Sequence, residues 1–161
     1  AAGARLLAAK VGSFAPSHMM EILRDEKSGI CMTGAFRSTG SQVSRLPKAG
    51  PCHHWLTGTA DPNDAVFKLV GTAADGGFVC AEETRAVPNP SGTNPSTPLF
   101  AAHDAAIRRL RTPRGEYDRD VLRGIEKAAI AAAAAGVAPP PESFAEAARR
   151  EMEVLKSVGA G

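Results

Sequence analysis

Apolar residues recur at helical spacing through the last third of the chain. Leu99, Phe100, His103, Ile107 and Leu110 form one stripe. Thr97 stands where an N-cap hydroxyl is needed, Pro98 suits the first helical position, and Thr112-Pro113 closes the element. A second helix is predicted from about Glu116 to Ala135, with Tyr117, Val121, Leu122 and Ile125 on one side and Gly136 as its stop. Pro139-Pro140-Pro141 separates it from a third, over about Glu142–Val158, whose stripe is Phe144, Ala148, Met152 and Leu155. Near the start, residues 17–26 read as a short helix. Pro16 precedes it, Ser17 is placed to cap it, and Met19, Met20, Ile22 and Leu23 give it an apolar side. Lys27-Ser28-Gly29 is its expected stop.

Between these helices the period changes. Phe36–Leu46 alternates as a strand does, Cys52–Thr59 is a second strand, Ala65–Val70 a third and Gly77–Glu82 a weaker fourth. Asp61-Pro62-Asn63-Asp64 is a strong turn signal between the second and third. Strands this close in sequence favour antiparallel pairing. Residues 85–96, with Pro88-Asn89-Pro90-Ser91-Gly92, read as a linker. The chain thus divides into a helix and strands over 1–84, the linker, and helices over 97–161. That order is α+β.

Length and charge narrow the function classes. The 161 residues suit a single domain. Nineteen Lys and Arg against seventeen Asp and Glu leave a net charge of +2, without the basic stripe of a nucleic-acid binder. The longest apolar run, Ala128–Ala135, is far short of the about 20 residues that cross a bilayer. Aromatic residues are only 5% of the chain, so the core must be built from aliphatic side chains and alanine. Arg108, Arg109 and Arg111, and Arg149-Arg150, lie on helices rich in Ala and Glu and read as solvated faces.

The three cysteines, Cys31, Cys52 and Cys80, are odd in number and widely spaced. They form neither a disulfide framework nor a zinc motif, and read as free thiols of a reducing, cytoplasmic compartment. Cys52 precedes His53 and His54; only His54 shares its face on a strand. Two adjacent histidines on a strand do not converge on one ion, so no metal site is expected. His103 and Trp55 read as core residues.

Three ordered blocks between residues 19 and 68 carry a resemblance. The first runs from Met19-Met20 through Leu23-Arg24-Asp25 to Ser28-Gly29-Ile30-Cys31. The second is Phe36-Arg37-Ser38-Thr39-Gly40-Ser41-Gln42-Val43-Ser44-Arg45-Leu46-Pro47. The third is Cys52-His53-His54-Trp55-Leu56-Thr57-Gly58-Thr59-Ala60-Asp61-Pro62, ending in Val66-Phe67-Lys68. Together they closely resemble the secernin group of the cysteine dipeptidase family. Ala60, Ala65 and Leu69 are mild departures, standing where the family pattern has Pro, Ser and Pro.

The resemblance implies an αββα N-terminal-nucleophile hydrolase sandwich, of which this chain is expected to be the C-terminal part. In that family a processed N-terminal Cys attacks an amide carbonyl, and its own α-amine, with a pKa of about 8, is the general base. Residue 1 is Ala and no cysteine precedes Cys31, so the nucleophile is expected outside this chain and no catalytic residue within it. The implied reaction is hydrolysis of a small peptide or amide without metal or organic cofactor. The alternative is a non-catalytic regulator or interaction protein in secretion. The expected partners are the upstream segment of the same protein or a second copy, because half a sandwich would bare an apolar sheet face.

For substrate contacts the resemblance draws attention to three residues. Arg37 has the fork that grips a carboxylate in a bidentate pair, as a dipeptidase requires, and equally suits a solvated surface. The hydroxyls of Ser38, Thr39 and Ser41 suit cleft lining or oxyanion donation, and also cross-strand hydrogen bonding. The strand period puts Thr39 and Ser41 on one face, and they are the pair selected for pocket contacts.

Overall fold

The structure is a computed structural model that describes residues 2–72, 75, 77, 82–85, 97–110 and 119–159. Its helices are α1 (Ala2–Ala8), α2 (Pro16–Leu23), α3 (Pro98–Leu110), α4 (Arg119–Ala134) and α5 (Ser143–Gly159). Strands β1 (Gln42–Arg45), β2 (His53–Leu56) and β3 (Lys68–Leu69) lie between α2 and α3, and Glu82–Thr84 makes a 3₁₀ turn. The fold is α+β, with one antiparallel sheet in the order β1–β2–β3. No helix among the described residues is long and apolar enough to cross a membrane.

The register sets Val43 opposite Trp55, and Trp55 opposite Leu69, so all three share one face. Met19, Met20 and Leu23 of α2 cover that face, with Ala129, Ile130 and Ala133 of α4 and with Phe67. Trp55 is fully buried there. A ring of its size removes about 150–250 Å² from water, roughly 4–6 kcal/mol gross. The opposite face differs from the expected apolar one. Gln42 and Ser44 are exposed on it, and His54 and Leu56 are half-buried. Polar side chains at alternate positions let this side of β1 and β2 meet water. At β3 the same side carries Lys68, which α5 covers.

Two further apolar clusters join the helices. Leu99 and Ala106 of α3 pack on Ala145, Ala148, Met152 and Leu155 of α5. Val66 packs with Leu122 and Ile125 of α4 and Ala147 of α5. At Gly71 the chain passes Pro140 so closely that a Cβ would lie 1.8 Å from its carbonyl oxygen. Only glycine fits there.

The segment before β3 is held by side chains. The Arg24 Nε donates to the carbonyl of Pro62 (2.9 Å) and its Nη2 to that of Ala65 (3.1 Å). Arg123 Nη1 donates to Ala65 O (3.0 Å), and its Nη2 to Asn63 O. Glu126 Oε1 accepts the Phe67 N–H at 2.8 Å and also pairs with Arg24. Glu151 Oε1 accepts the Val66 N–H at 3.0 Å, while its Oε2 meets Lys68 Nζ at 2.6 Å. Lys68 Nζ closes the ring on Val66 O at 2.9 Å. The Lys68 and Glu151 side chains are both 0% exposed. Arg24 lies 4.7 Å over the Phe67 ring. Burial lowers its guanidinium's pKa, and Glu126 is the main opposing influence.

Several sequence boundaries are corrected. The strand expected over Phe36–Leu46 is only Gln42–Arg45; Phe36 and Leu46 are 80% and 70% exposed. Residues 37–41 bury no apolar face that would fix a register. Cys52–Thr59 shortens to His53–Leu56, and Ala65–Val70 to Lys68–Leu69. In the latter, the Val66 and Phe67 amides bond to carboxylates instead of a strand. Helix α2 starts at Pro16, not Ser17; its N-cap is Ala15, whose N–H donates to His18 Nδ1 at 3.1 Å. It ends at Leu23, before the expected stop at Lys27–Gly29. Helix α1 had no counterpart in the sequence reading. Thr97 does cap α3, its Oγ1 accepting the Phe100 N–H at 3.0 Å. The fourth strand, the 85–96 linker and the start of the second C-terminal helix lie almost wholly outside the described residues.

Replacing Glu151 by Ala is expected to cost about 3–5 kcal/mol, because Lys68 is left charged and unpaired in the interior. Lys68→Met combined with Glu151→Leu should recover part of that. A remainder of about 1–3 kcal/mol persists, since the Val66 N–H still lacks an acceptor. Urea unfolding followed by the fluorescence of Trp55, the single tryptophan, measures both.

Candidate functional site

The predicted site residues lie in the stretch that runs from Cys31 into β1. This stretch is folded onto the turn after β2. Ser38 N–H donates to Met32 O (2.8 Å), and Asp61 N–H donates to Ser38 O (2.9 Å). Thr33 and Arg37 form an isolated antiparallel bridge. On the other side, Gly58 (φ 68°) and Asp61 (φ 53°) take left-handed backbone conformations that bend the chain sharply.

Arg37 joins this turn to α3. Its Nη2 reaches Asp61 Oδ2 at 2.7 Å and its Nη1 reaches Asp104 Oδ1 at 2.9 Å. The hydrogen bond that Arg37 donates to Asp61 leads the influences that raise the Arg37 pKa, with the one to Asp104 next. The same Arg37 contact leads those that lower the Asp104 carboxyl, and Arg108 adds to it from one helical turn on. The neighbouring His103 is 1% exposed. Burial lowers its imidazole pKa, with Glu151 the largest opposing influence. Arg37 Nε, Asp61 Oδ1, Thr59 Oγ1 and His103 Nε2 are buried without a hydrogen-bond partner.

The structure therefore brings Arg37 to two carboxylates of its own chain. Each terminal nitrogen of the fork already holds a carboxylate oxygen of the chain. Thr39 is exposed. Ser41 is half-buried and spends its backbone on Thr57. Its N–H donates to Thr57 Oγ1 (3.0 Å) and its carbonyl accepts the Thr57 N–H (3.1 Å). Neither Thr39 nor Ser41 is on a strand, so the shared-face argument that paired them does not hold. The arrangement braces the loop; it does not by itself form a substrate clamp.

The remaining candidates are also placed. Cys31 is buried, and burial pushes its thiol pKa up, away from the thiolate form. Cys52 is exposed. His53 is buried, with Nε2 3.0 Å from Val137 O and its ring stacked on Trp55. Cys80 lies outside the described residues. No three His, Cys, Asp or Glu side chains gather as metal ligands among the described residues. A groove of about 470 Å³ lies elsewhere, between α2 and β1, lined by Phe14, Pro16, Met19, Leu23 and the β1 residues.

Sequence reasoning passed over Asp61, Asp104, Glu126 and Glu151. A signal was present for the glutamates. Glu126 follows Leu122 and Ile125, and Glu151 follows Ala147 and Ala148, so each sits within an apolar stripe. A carboxylate at such a position requires a buried partner.

No known family's sequence profile matches this chain, and no solved structure matches it.

Arg37→Gln is expected to lower stability by about 1–3 kcal/mol, the cost of leaving a buried acceptor on Asp61 unpaired. Calorimetry or urea titration reads this directly. A second outcome follows from His103. Its pKa is depressed in the folded state, so the unfolded chain takes up the proton first as pH falls. Stability is full above the ordinary value of 6.5 and is lost progressively below it. The urea midpoint should fall between pH 7 and pH 5, and His103→Gln should flatten that fall.

Proposed function

We propose that this chain is the C-terminal part of a secernin-like cysteine dipeptidase within an αββα N-terminal-nucleophile hydrolase sandwich. One observation carries the reading: the three blocks that resemble the family pack on one another as a unit. Met20 and Leu23 of the first block join the apolar cluster of Val43 from the second and Trp55 from the third. Arg24 of the first grips Pro62 and Ala65 of the third. Arg37 of the second holds Asp61 of the third. A chance likeness gives no reason for the matching residues to be mutual partners.

The sheet adds support. Helices cover one face of β1 and β2, while the other carries Gln42, Ser44 and His54. A second sheet packed on that polar side would enclose a cleft lined with hydrogen-bonding groups, not a dry core. In this reading the nucleophile is an N-terminal Cys outside this chain. Its thiol forms an acyl-enzyme with a small peptide or amide, its α-amine carries the proton, and water releases the product. No metal or organic cofactor enters the reaction. This chain contributes scaffold. The protein works in the cytoplasm, where its thiols stay reduced.

A second reading, a non-catalytic regulator in secretion, is favoured by the engagement of Arg37. The side chain best suited to grip a peptide carboxylate is already held by Asp61 and Asp104.

The test is to express the chain with its upstream polypeptide and treat it with a dipeptidyl thiol-reactive probe. Labelling at a mature N-terminal Cys, lost on Cys→Ala together with dipeptide hydrolysis, is the expected result. An unlabelled N-terminus with no hydrolysis removes the enzyme and leaves the regulator.

A further inference from the structure

A second group of side chains lies on the polar side of the sheet. Ser44 and His54 are cross-strand partners in the β1–β2 ladder. Ser44 Oγ lies 2.8 Å from His54 Nδ1. Gln42 Nε2 donates to the same Oγ at 3.1 Å. A hydroxyl has a single proton. In the Nε2–H tautomer of His54 the Ser44 hydroxyl donates its proton to Nδ1 while its oxygen accepts from Gln42. Ser44 is exposed, so the oxygen can be approached from water.

The ladder adds another donor. The Thr57 N–H bonds to Ser41 O, which makes residues 41 and 57 a hydrogen-bonded pair. Bonding alternates along an antiparallel pair, so Val43 and Arg45 bond to β2. The Gln42 and Ser44 N–H groups point off the outer edge of β1, where no described strand pairs. The Ser44 hydroxyl therefore has an imidazole acceptor on one side. On the other are a side-chain amide and its own N–H, which meets no acceptor among the described residues.

We propose that Ser44 is an acyl-acceptor site. His54 is its general base, the Gln42 amide and the Ser44 N–H are its oxyanion donors, and its donors are small activated acyl compounds, aryl esters or thioesters. This goes beyond the dipeptidase reading and does not rest on it. The Oγ–H proton passes to His54 Nδ1 as Oγ bonds to the acyl carbon. The carbonyl electron pair moves onto oxygen, where the two N–H donors meet it. Collapse re-forms the carbonyl and breaks the bond to the leaving group. That group departs as the free phenol or thiol, taking the proton back from Nδ1. No oxidant or reductant is involved.

The test uses the 161-residue chain with p-nitrophenyl acetate, following released nitrophenol and locating the acetyl group by peptide mass spectrometry. One acetyl group on Ser44 is expected, absent in Ser44→Ala. His54→Gln should slow the modification roughly 100-fold or more, and Gln42→Ala at least roughly tenfold, a smaller loss than for an oxyanion donor in an enclosed site. Trp55 fluorescence confirms that each variant is folded. Cys52→Ser separates the serine from the exposed thiol and should leave the Ser44 rate unchanged. The proposal is overturned if Ser44 reacts no faster than exposed Ser13, if His54→Gln has no effect, or if the acetyl group resides on Cys52 alone.

Discussion

The structure depends on how eight residues, Asp61 to Lys68, satisfy their backbone. They lead into the sheet, yet a strand neighbour is available only at their end. Each buried N–H or C=O left unpaired would cost about 1–3 kcal/mol. Arg24, Arg123, Glu126 and Glu151 supply the partners, and Lys68 turns back on Val66. Those side chains come from α4, α5 and the residue that follows α2, so one short segment is the object on which three helices converge. Its alternate residues also divide the apolar interior. Phe67 faces the sheet cluster, and Val66 faces the one shared by α4 and α5.

This arrangement explains what was legible in the sequence. The long helices announce themselves through period, and Thr97 through its position before Pro98. The antiparallel strands were also readable, because their spacing leaves no room for crossover helices. Their lengths were not. A strand ends where its ladder partner is replaced, and for Val66 and Phe67 the replacement is a carboxylate 85 and 59 residues away. No local pattern encodes that. Arg37 follows the same logic: its fork suits carboxylates, and those it holds, in the turn after β2 and on α3, are distant in sequence.

The scarcity of aromatic residues shapes the helical layer. Where α3 meets α5, Ala106, Ala145 and Ala148 take the places that larger side chains usually fill. Small residues let two helices approach closely and recover through many short contacts what a large ring would contribute singly. The pass of Gly71 beneath Pro140 follows the same economy of volume.

The Lys68–Glu151 pair spans 83 residues, and this sets a schedule for synthesis. A ribosome adding about 5–20 residues per second delivers the lysine roughly 4–17 s before its carboxylate. Through that interval the ammonium group stays hydrated on the open side of the sheet, and it gives up that water only when the helix that carries its carboxylate packs over it.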